Sequence, residues 1–458
     1  MTAEKMLRVI PKKRLVCSGK WRDHRIVVKF FLKSRRLRRH FSREKQGAQA
    51  LAASGVRTPE ILFQGRVGPE NVKVLAFREI SQAEDMLSVW LDRSPDTDRA
   101  ELQKKMVREI AKLHEAGLKQ DDLHLGNFII SRGKIHTIDG DAVDTRGMGK
   151  PLCENKSLEN LGVFFSQFDT EYDRLSEESF LFYEECRGWP RDTGRYCRLV
   201  KKIKKARALR LDRYIRKVFR DSTAFACHKG WTREWVCCRK AYAMGLDRFI
   251  SDPDSFIRQG KILKNGNTAT VARIEIEGTA YAVKRYNIKN VRHFFRRFLR
   301  NTRARISWRN AHLLTFLGIR TPGPVMFMEE RFGPVRSRAF FVTEYISAPD
   351  VLSLVRADSC GRVDLAALCE KFSALFRKLA DARVSHGDFK ATNFILQDGE
   401  ICLLDLDSMK RHRVQWFFRK AFRRDLARFQ KNWKDLPAVS EVLGKAAADE
   451  MKIKNSKE

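Results

Sequence analysis

Apolar runs rich in β-branched residues alternate with helical patterns in one order, and that order occurs twice. VVKFF (27–31) reads as a buried strand carrying Lys29, and YAVKRYN (281–287) reads as another carrying Lys284. After each lysine come a basic stretch and a helical pattern, then a shared stop: SGVRTPEIL (54–62) and LGIRTPGPV (317–325). A Gly-containing turn followed by proline predicts that both helices end there. AFREISQAEDMLSVWL (76–91) and FVTEYISAPDVLSLVR (341–356) follow, aligning Glu79 with Glu344, Asp85 with Asp350 and Ser88 with Ser353. Amphipathic helices over 102–116 and 365–380 come next and lead into a polar loop and a hairpin. Strands first and helices afterwards, in both halves, predict an α+β fold.

The polar loops are the closest match. QDDLHLGNFIISRGKIHTIDGDA (120–142) and HGDFKATNFILQDGEICLLDLDS (386–408) align without a gap. Each places an Asp, an Asn five residues later, and a D-x-D twelve residues beyond that Asn. One D-x4-N means little, because Asp and Asn are common in loops. Two at one spacing, each preceded by a strand lysine, point to a duplicated domain. The first copy carries a further stretch, 150–248, mostly helical in pattern through ENLGVFFSQF and RLDRYIRKVFRD. The boundary is expected around 245–252, giving a first domain of 1–248 and a second of 249–458.

Length and composition fit that division. A chain of 458 residues can build two full cores, and 43% hydrophobic residues exclude a disordered or fibrous chain. No apolar run is long enough to span a bilayer, and MTAEKMLRVIPKKRLV has no signal-peptide core, so a cytoplasmic protein is expected. Ten cysteines without a CxxC pair fit a reducing compartment. Cys227, His228, Cys237 and Cys238 read as structural thiols rather than a zinc site, since adjacent cysteines suit tetrahedral ligation poorly.

Charge changes the picture. Ninety-one Lys+Arg against 56 Asp+Glu leave +35, which implies a polyanionic partner: nucleic acid, an anionic membrane surface or a phosphorylated glycan. The basic stretches KSRRLRRHFSREK (33–45) and NVRHFFRRFLRNTRARISWR (290–309) recur at matched places. Each is either a solvated cationic helix or an interfacial segment. In the second, Phe294, Phe295 and Phe298 alternate with Arg296, Arg297 and Arg300, and recurrence favours the interfacial reading. No RNA-binding module signature accompanies them, so nucleic acid is not expected. Trp308, His312 and Phe316, at helical spacing, read as a core stripe.

A strand lysine, a D-x4-N loop and a later Asp form the arrangement that protein kinases use for phosphoryl transfer. Lys29 and Lys284 would hold the α- and β-phosphates of ATP. Asp122 and Asp388 would accept the proton of the attacking hydroxyl. Asn127 with Asp139, and Asn393 with Asp405, offer oxygen ligands of the kind Mg2+ prefers. Asp141 and Asp407 would assist the metal or hold the loop. In GKILKNGNTATVARI (260–274), Gly260 and Gly266 would let backbone N–H groups approach phosphate. In the first half only VCSGKW (16–21) offers a comparable turn, through Ser18, Gly19 and Lys20. Glu79 and Glu344 are assigned to the nucleotide site as well.

HGDFKATNF with LLDLDSM, SWRNAHLLTFLGIRTPGP and the closing RKAFRRDLARFQKNW resemble the lipopolysaccharide core kinase family of the Kdo/WaaP kind. DLHLGNFII, TIDGD and GVRTPEIL carry the likeness in the first half. The resemblance implies two tandem protein-kinase-like domains, each with a small β-rich N-lobe and a helical C-lobe. It implies ATP-dependent phosphorylation of a sugar hydroxyl, heptose foremost, in the lipopolysaccharide inner core. The setting it implies is the cytoplasmic face of the inner membrane. Two positions depart from the pattern. A kinase lysine is held by a helix glutamate, which Glu44 in REKQGAQAL matches. The aligned residue in the second half is Ser307, with no acidic residue between Lys284 and Met328. Gln120 stands where the second half has His386. Two other readings remain open: a kinase for a protein side chain or small molecule, and a double pseudokinase that binds lipopolysaccharide or a partner enzyme.

Overall fold

The computed structural model describes residues 2–10, 14–32, 37–92, 96–287, 301–357 and 363–453. They form two compact units, Met1–Leu209 and Arg210–Glu458.

The first unit opens with an antiparallel sheet of β1 (Thr2–Ile10), β2 (Arg14–Trp21), β3 (His24–Phe31), β4 (Ile61–Val67) and β5 (Val72–Arg78), ordered β1-β2-β3-β5-β4. Helix α1 (Leu37–Ala53) lies between β3 and β4 in sequence. Side chains alternate across a strand. Ile26 and Val28 therefore pack with Val74 and Ala76 on one face. Phe31 packs with Leu75, Phe77 and Ala48 of α1 on the other. The same alternation puts Lys29 on the α1 side. Beyond the sheet come α2 (Asp96–Glu115), the hairpin β6 (Phe128–Ser131) and β7 (Lys134–Thr137), and helices α3 (Glu154–Phe165), α4 (Asp173–Cys186) and α5 (Thr193–Lys217). Met106, Ile110, Phe128, Phe164, Phe165 and Tyr183 form the centre of this helical core.

The second unit begins within α5. Residues 150–248, read from sequence as mostly helical, also contain a hairpin, β8 (Phe225–Lys229) and β9 (Arg233–Cys238). Then follow α6 (Pro253–Gln259), β10 (Lys261–Asn265), β11 (Ala269–Ile276), β12 (Thr279–Tyr286), α7 (Arg303–Phe316), β13 (Pro324–Phe332) and β14 (Val335–Glu344). The sheet order is β8-β9-β13-β14-β12-β11-β10. Its last five strands, read from β10, repeat the order of the first unit. β9 pairs along the edge of β13, Val236 opposite Phe327, so 210–248 packs with the second unit although the repeated pattern starts near Asp252. The helical part comprises α8 (Leu365–Asp381), the hairpin β15 (Phe394–Gln397) and β16 (Glu400–Leu403), α9 (Gln415–Lys431) and α10 (Pro437–Ile453).

Local devices recur with the strand order. Val16 lies opposite Lys29 and Val271 opposite Lys284. The strands that open the repeated order, β1 and β10, slip register between Met6 and Arg8 and between Ile262 and Lys264, leaving Leu7 and Leu263 as bulged residues. Helices α1 and α7 both end before a left-handed glycine, Gly55 at φ 69° and Gly318 at φ 63°. The next N–H reaches back to Leu51 O and Leu314 O. The stops expected from sequence are there. Trp308 and His312 of α7 are buried and Phe316 packs against the same core, as the stripe predicted.

Candidate active site

Both units build their polar loop on the same backbone bonds. Asn127 Nδ2 donates to Asp122 O at 2.6 Å, and Asn393 Nδ2 donates to Asp388 O at 2.9 Å. The main-chain oxygens of the two Asn accept from Ile138 N and Leu404 N, the residues just before each D-x-D. Arg57 O and Arg320 O, from the matched RTP turns, accept from Thr137 N and Leu403 N. The loop and the D-x-D therefore form one hydrogen-bonded piece in each unit. Asp139 and Asp405 both adopt left-handed backbone, φ 74° and 55°. For a residue other than glycine that conformation costs about 1 kcal/mol or more and is held only by its surroundings.

The two units brace that piece differently. His386 Nε2 donates to Leu404 O at 2.8 Å, and burial holds its imidazole below the ordinary range. Gln120, its counterpart, directs Nε2 at the same stretch, 3.5 Å from Ile138 O and 3.4 Å from Asp139 O. Behind His386, Asp425 of α9 accepts from the backbone N–H groups of His386 and Gly387 at 2.7 and 2.9 Å. Burial pushes its carboxyl up to about 6 despite those bonds. Behind Gln120 the support is neutral: Asn160 of α3 donates to Gln120 O, and Asn160 Oδ1 accepts from His114 Nε2. Burial pushes His114 down to about 4.

The lysines show the sharpest difference. Lys29 Nζ lies 2.5 Å from Oε1 of Glu44 on α1, which also accepts from Gly140 N. Arg14 donates to the other Glu44 oxygen at 3.1 Å. Burial pushes the Glu44 carboxyl up, with Lys29 opposing it. Asp139 Oδ1 is 3.6 Å from both Lys29 Nζ and Arg14 Nη1. Burial works against its charge, but Lys29 and Arg14 outweigh it and hold the carboxyl well below the usual range.

Lys284 has no helix glutamate, and Ser307 at that position bonds Tyr286 Oη instead. Its partners come from the D-x-D: Asp405 Oδ1 at 2.5 Å and Asp407 Oδ2 at 3.2 Å. Arg303 of α7 donates to the same Asp407 oxygen at 2.6 Å. Burial opposes the Lys284 charge, but Tyr286 and the two carboxylates raise it above the ordinary lysine range. In the first unit Asp141 pairs with α1 through His40 Nδ1 at 2.9 Å and Arg43 Nε at 3.4 Å. His40 stands four residues before Glu44, and Arg303 four before Ser307. The second Asp of D-x-D thus ties the helix to the loop at one matched helix position in both units. In the second it also takes over the lysine.

Asp122 and Asp388 differ in setting. Asp388 is held by Arg428 Nε of α9 at 2.9 Å, Lys390 Nζ at 3.1 Å and, more loosely, Asn393 Nδ2 at 3.4 Å. Asp122 is 75% exposed and has His124 Nε2 at 3.6 Å.

The remaining assignments fall elsewhere. Glu79 follows β5 and pairs with Arg25 at 2.7 Å; Glu344 ends β14 with its carboxylate against Gly323. Leu75 and Phe341 face the lysines, so both glutamates lie roughly 10–13 Å further along the strand. Gly260 stands at the foot of β10, where a Cβ would come within 2.5 Å of Arg273 O. Gly266 is in the turn, its N–H bonded to Ala269 O. VCSGKW is not a turn: 16–21 lies within β2, and a Cβ on Gly19 would run into Thr2 O. The residues that align with the Gly266 turn, 11–13, lie outside the described residues, as do 33–36 and 290–300 of the basic stretches. Arg14, Asp425 and Arg428 escaped the sequence reading. Asp425 left one signal, a lone carboxylate in the apolar stripe Phe418, Phe422, Phe429.

Comparison with known proteins finds three likenesses. The chain is 29% identical over 120 residues to the KEOPS complex subunit Bud32 of Pyrococcus abyssi (strain GE5 / Orsay), covering 25% of this chain and 50% of that protein. It thus spans about half the length of the curated relative it matches. Among solved structures, the kinase domain of Mycobacterium tuberculosis PknI aligns over 38% of this chain and 69% of that one, at 14% identity and a TM-score of 0.26. Residues 247–442 match the model of the lipopolysaccharide kinase (Kdo/WaaP) family.

Proposed function

We propose that the chain is a phosphotransferase that moves the γ-phosphoryl group of ATP to a sugar hydroxyl, heptose foremost, of the lipopolysaccharide inner core. Its two halves are read as two copies of one kinase-like domain, 1–248 and 249–458 by the repeated pattern, working at the cytoplasmic face of the inner membrane. The observation that carries the reading is the second unit's cluster: Lys284 on Asp405, Asn393 on the Asp388 main chain, and Asp388 fixed by Arg428 and Lys390. The strand order, the Leu7 and Leu263 bulges and the left-handed Asp139 and Asp405 support the duplication. A charge of +35 suits an anionic glycolipid acceptor.

The residues present fit ATP with Mg2+. Asp139 Oδ1 is buried 3.6 Å from the Lys29 and Arg14 cations, beyond hydrogen-bond distance, and keeps lone pairs that a metal ion could take. Asn127 with Asp139, and Asn393 with Asp405, would hold Mg2+, which would neutralise charge on the phosphates. Lys29 and Lys284 supply the fixed cation beside them. Asp388 is oriented by its three donors to take the acceptor proton, and Lys390 and Arg428 place positive charge where an anionic acceptor would approach. Asp388 is the better organised base, so the second unit is assigned the transfer. The first, with Lys29, Glu44 and Asp139 in place and Asp122 open to solvent, is assigned nucleotide binding.

Transfer from ATP/Mg2+ to purified core lipopolysaccharide tests this with the intact chain, Asp122→Ala, Asp388→Ala and the double variant. Asp388→Ala should lower the rate by about 100-fold or more, and Asp122→Ala should leave most of it. The reverse result transfers the assignment to the first unit. ATP turnover without core phosphorylation points to a protein or small-molecule acceptor. Absence of nucleotide binding leaves the scaffold reading.

A further inference from the structure

We infer that the first turn of α9, with the residues before it, is an interfacial anchor for an anionic lipid surface. Val414, Trp416 and Phe417 are 53%, 61% and 57% exposed. Large apolar side chains left together in water mark a surface that something covers. The cover must be anionic. No acidic residue occurs between Asp407 and Asp425, while Lys410, Arg411 and Arg413 precede the turn and Lys420 and Arg424 follow it, all exposed. Tryptophan and phenylalanine at the tip with cations around them is the composition of a segment lying in a membrane interface. In the sequence this patch is a different stretch from 290–309, where that chemistry is first expected.

The ring geometry favours lipid over nucleic acid. Stacking on a base needs a free aromatic face. Trp416 has Lys420 Nζ over its ring at 5.4 Å and the Phe417 ring against it edge to face at 5.0 Å. Val414 offers no ring. Insertion into an acyl boundary requires only the apolar surface that these three present.

The same helix connects the patch to the candidate active site. Phe418, Phe422, Leu426 and Phe429 bury its other face, Asp425 holds the His386–Gly387 backbone, and Arg428 holds Asp388. Trp416 and Arg428 are twelve residues apart, roughly 18 Å along a helix. An anchored tip would therefore keep the Asp388 loop at the height of a sugar head group rather than of acyl chains. This last step rests on the proposed phosphotransfer, whereas lipid binding itself does not.

The test is co-sedimentation of the full chain with phosphatidylglycerol vesicles, with phosphatidylcholine vesicles and, separately, binding to a single-stranded oligonucleotide. The comparison is W416S/F417S, with circular dichroism and ATP binding to verify its fold. The intact chain should bind phosphatidylglycerol and barely bind phosphatidylcholine, and the double variant should lose roughly tenfold or more. It should also phosphorylate a deacylated, soluble core glycan normally while failing on vesicle-embedded lipopolysaccharide. Equal vesicle binding by both proteins overturns the anchor. So does a variant that loses the oligonucleotide and keeps the vesicles. If lipid binding is lost as expected but neither protein phosphorylates any acceptor, the anchor stands and only the phosphotransfer reading falls.

Discussion

Asp407 does two jobs with one carboxylate, one on Lys284 and one on Arg303. Its side chain is 8% exposed, so removing the charge leaves Lys284 on Asp405 alone and takes a close partner from Arg303. Asp407→Asn should raise KM for ATP about tenfold or more and lower the melting temperature. The cost should be on the order of 1 kcal/mol, since Arg303 is partly solvated and Lys284 keeps Asp405. Ser307→Glu in that background restores an acidic group on α7 and should recover part of the ATP affinity. A variant with unchanged ATP binding would mean that Asp405 alone suffices for Lys284. The residue-level difference between the units is thus one of origin. Glu44 supplies the counter-charge from the helix in the first, and Asp407 supplies it from the loop in the second.

At the scale of elements, the loop is braced by a buried acid in one unit and a buried neutral network in the other. The second arrangement has a pH consequence. His114 of α2 is fully buried, with its pKa pushed from 6.5 to about 4 by burial. A depressed histidine gives stability that is present above its unfolded pKa and lost as pH falls through the folded one. Between pH 6.5 and about 4 the first unit should lose up to about 3 kcal/mol from this group. His114→Gln should flatten the slope. The observable is amide exchange of peptides around Gln120 and α3 at pH 7 and pH 5, for the intact chain and the variant. Equal acid sensitivity in both would remove His114 as the cause. These braces also mark the limit of what the sequence discloses. The strand lysines, the D-x4-N loops and the helix stops were legible because each depends on spacing within a few turns of chain. Asp407 on Arg303 spans 104 residues and Asp425 on His386 spans 39, and no local pattern encodes such pairs. VCSGKW misled for a related reason: a glycine chosen for close approach of two strands looks the same in sequence as one chosen for a turn.

At the scale of the whole molecule, the repeated motif and the compact unit begin at different places, and the difference is testable. The repeat places the start of the second copy near Asp252, but the second unit starts at Arg210. Three features tie the intervening residues to it. β9 covers the edge of β13, with Cys237 opposite Met326. Trp308, wholly buried, donates from Nε1 to Val218 O at 3.0 Å. Val218, Phe225 and Val236 are buried among Trp308, Phe327 and their neighbours. A fragment of 249–458 would bare those apolar residues and leave the β13 edge unpaired, the combination that drives strand-to-strand aggregation. A fragment of 210–458 keeps all three features. Expressed side by side, 210–458 should be monomeric and unfold in one cooperative transition. The shorter fragment should aggregate or melt well below it, since losing the Trp308 surroundings alone costs about 3 kcal/mol or more. Equal melting of two monomeric fragments would return the boundary to 245–252. It would make the β8–β9 hairpin an addition to a domain that is complete without it.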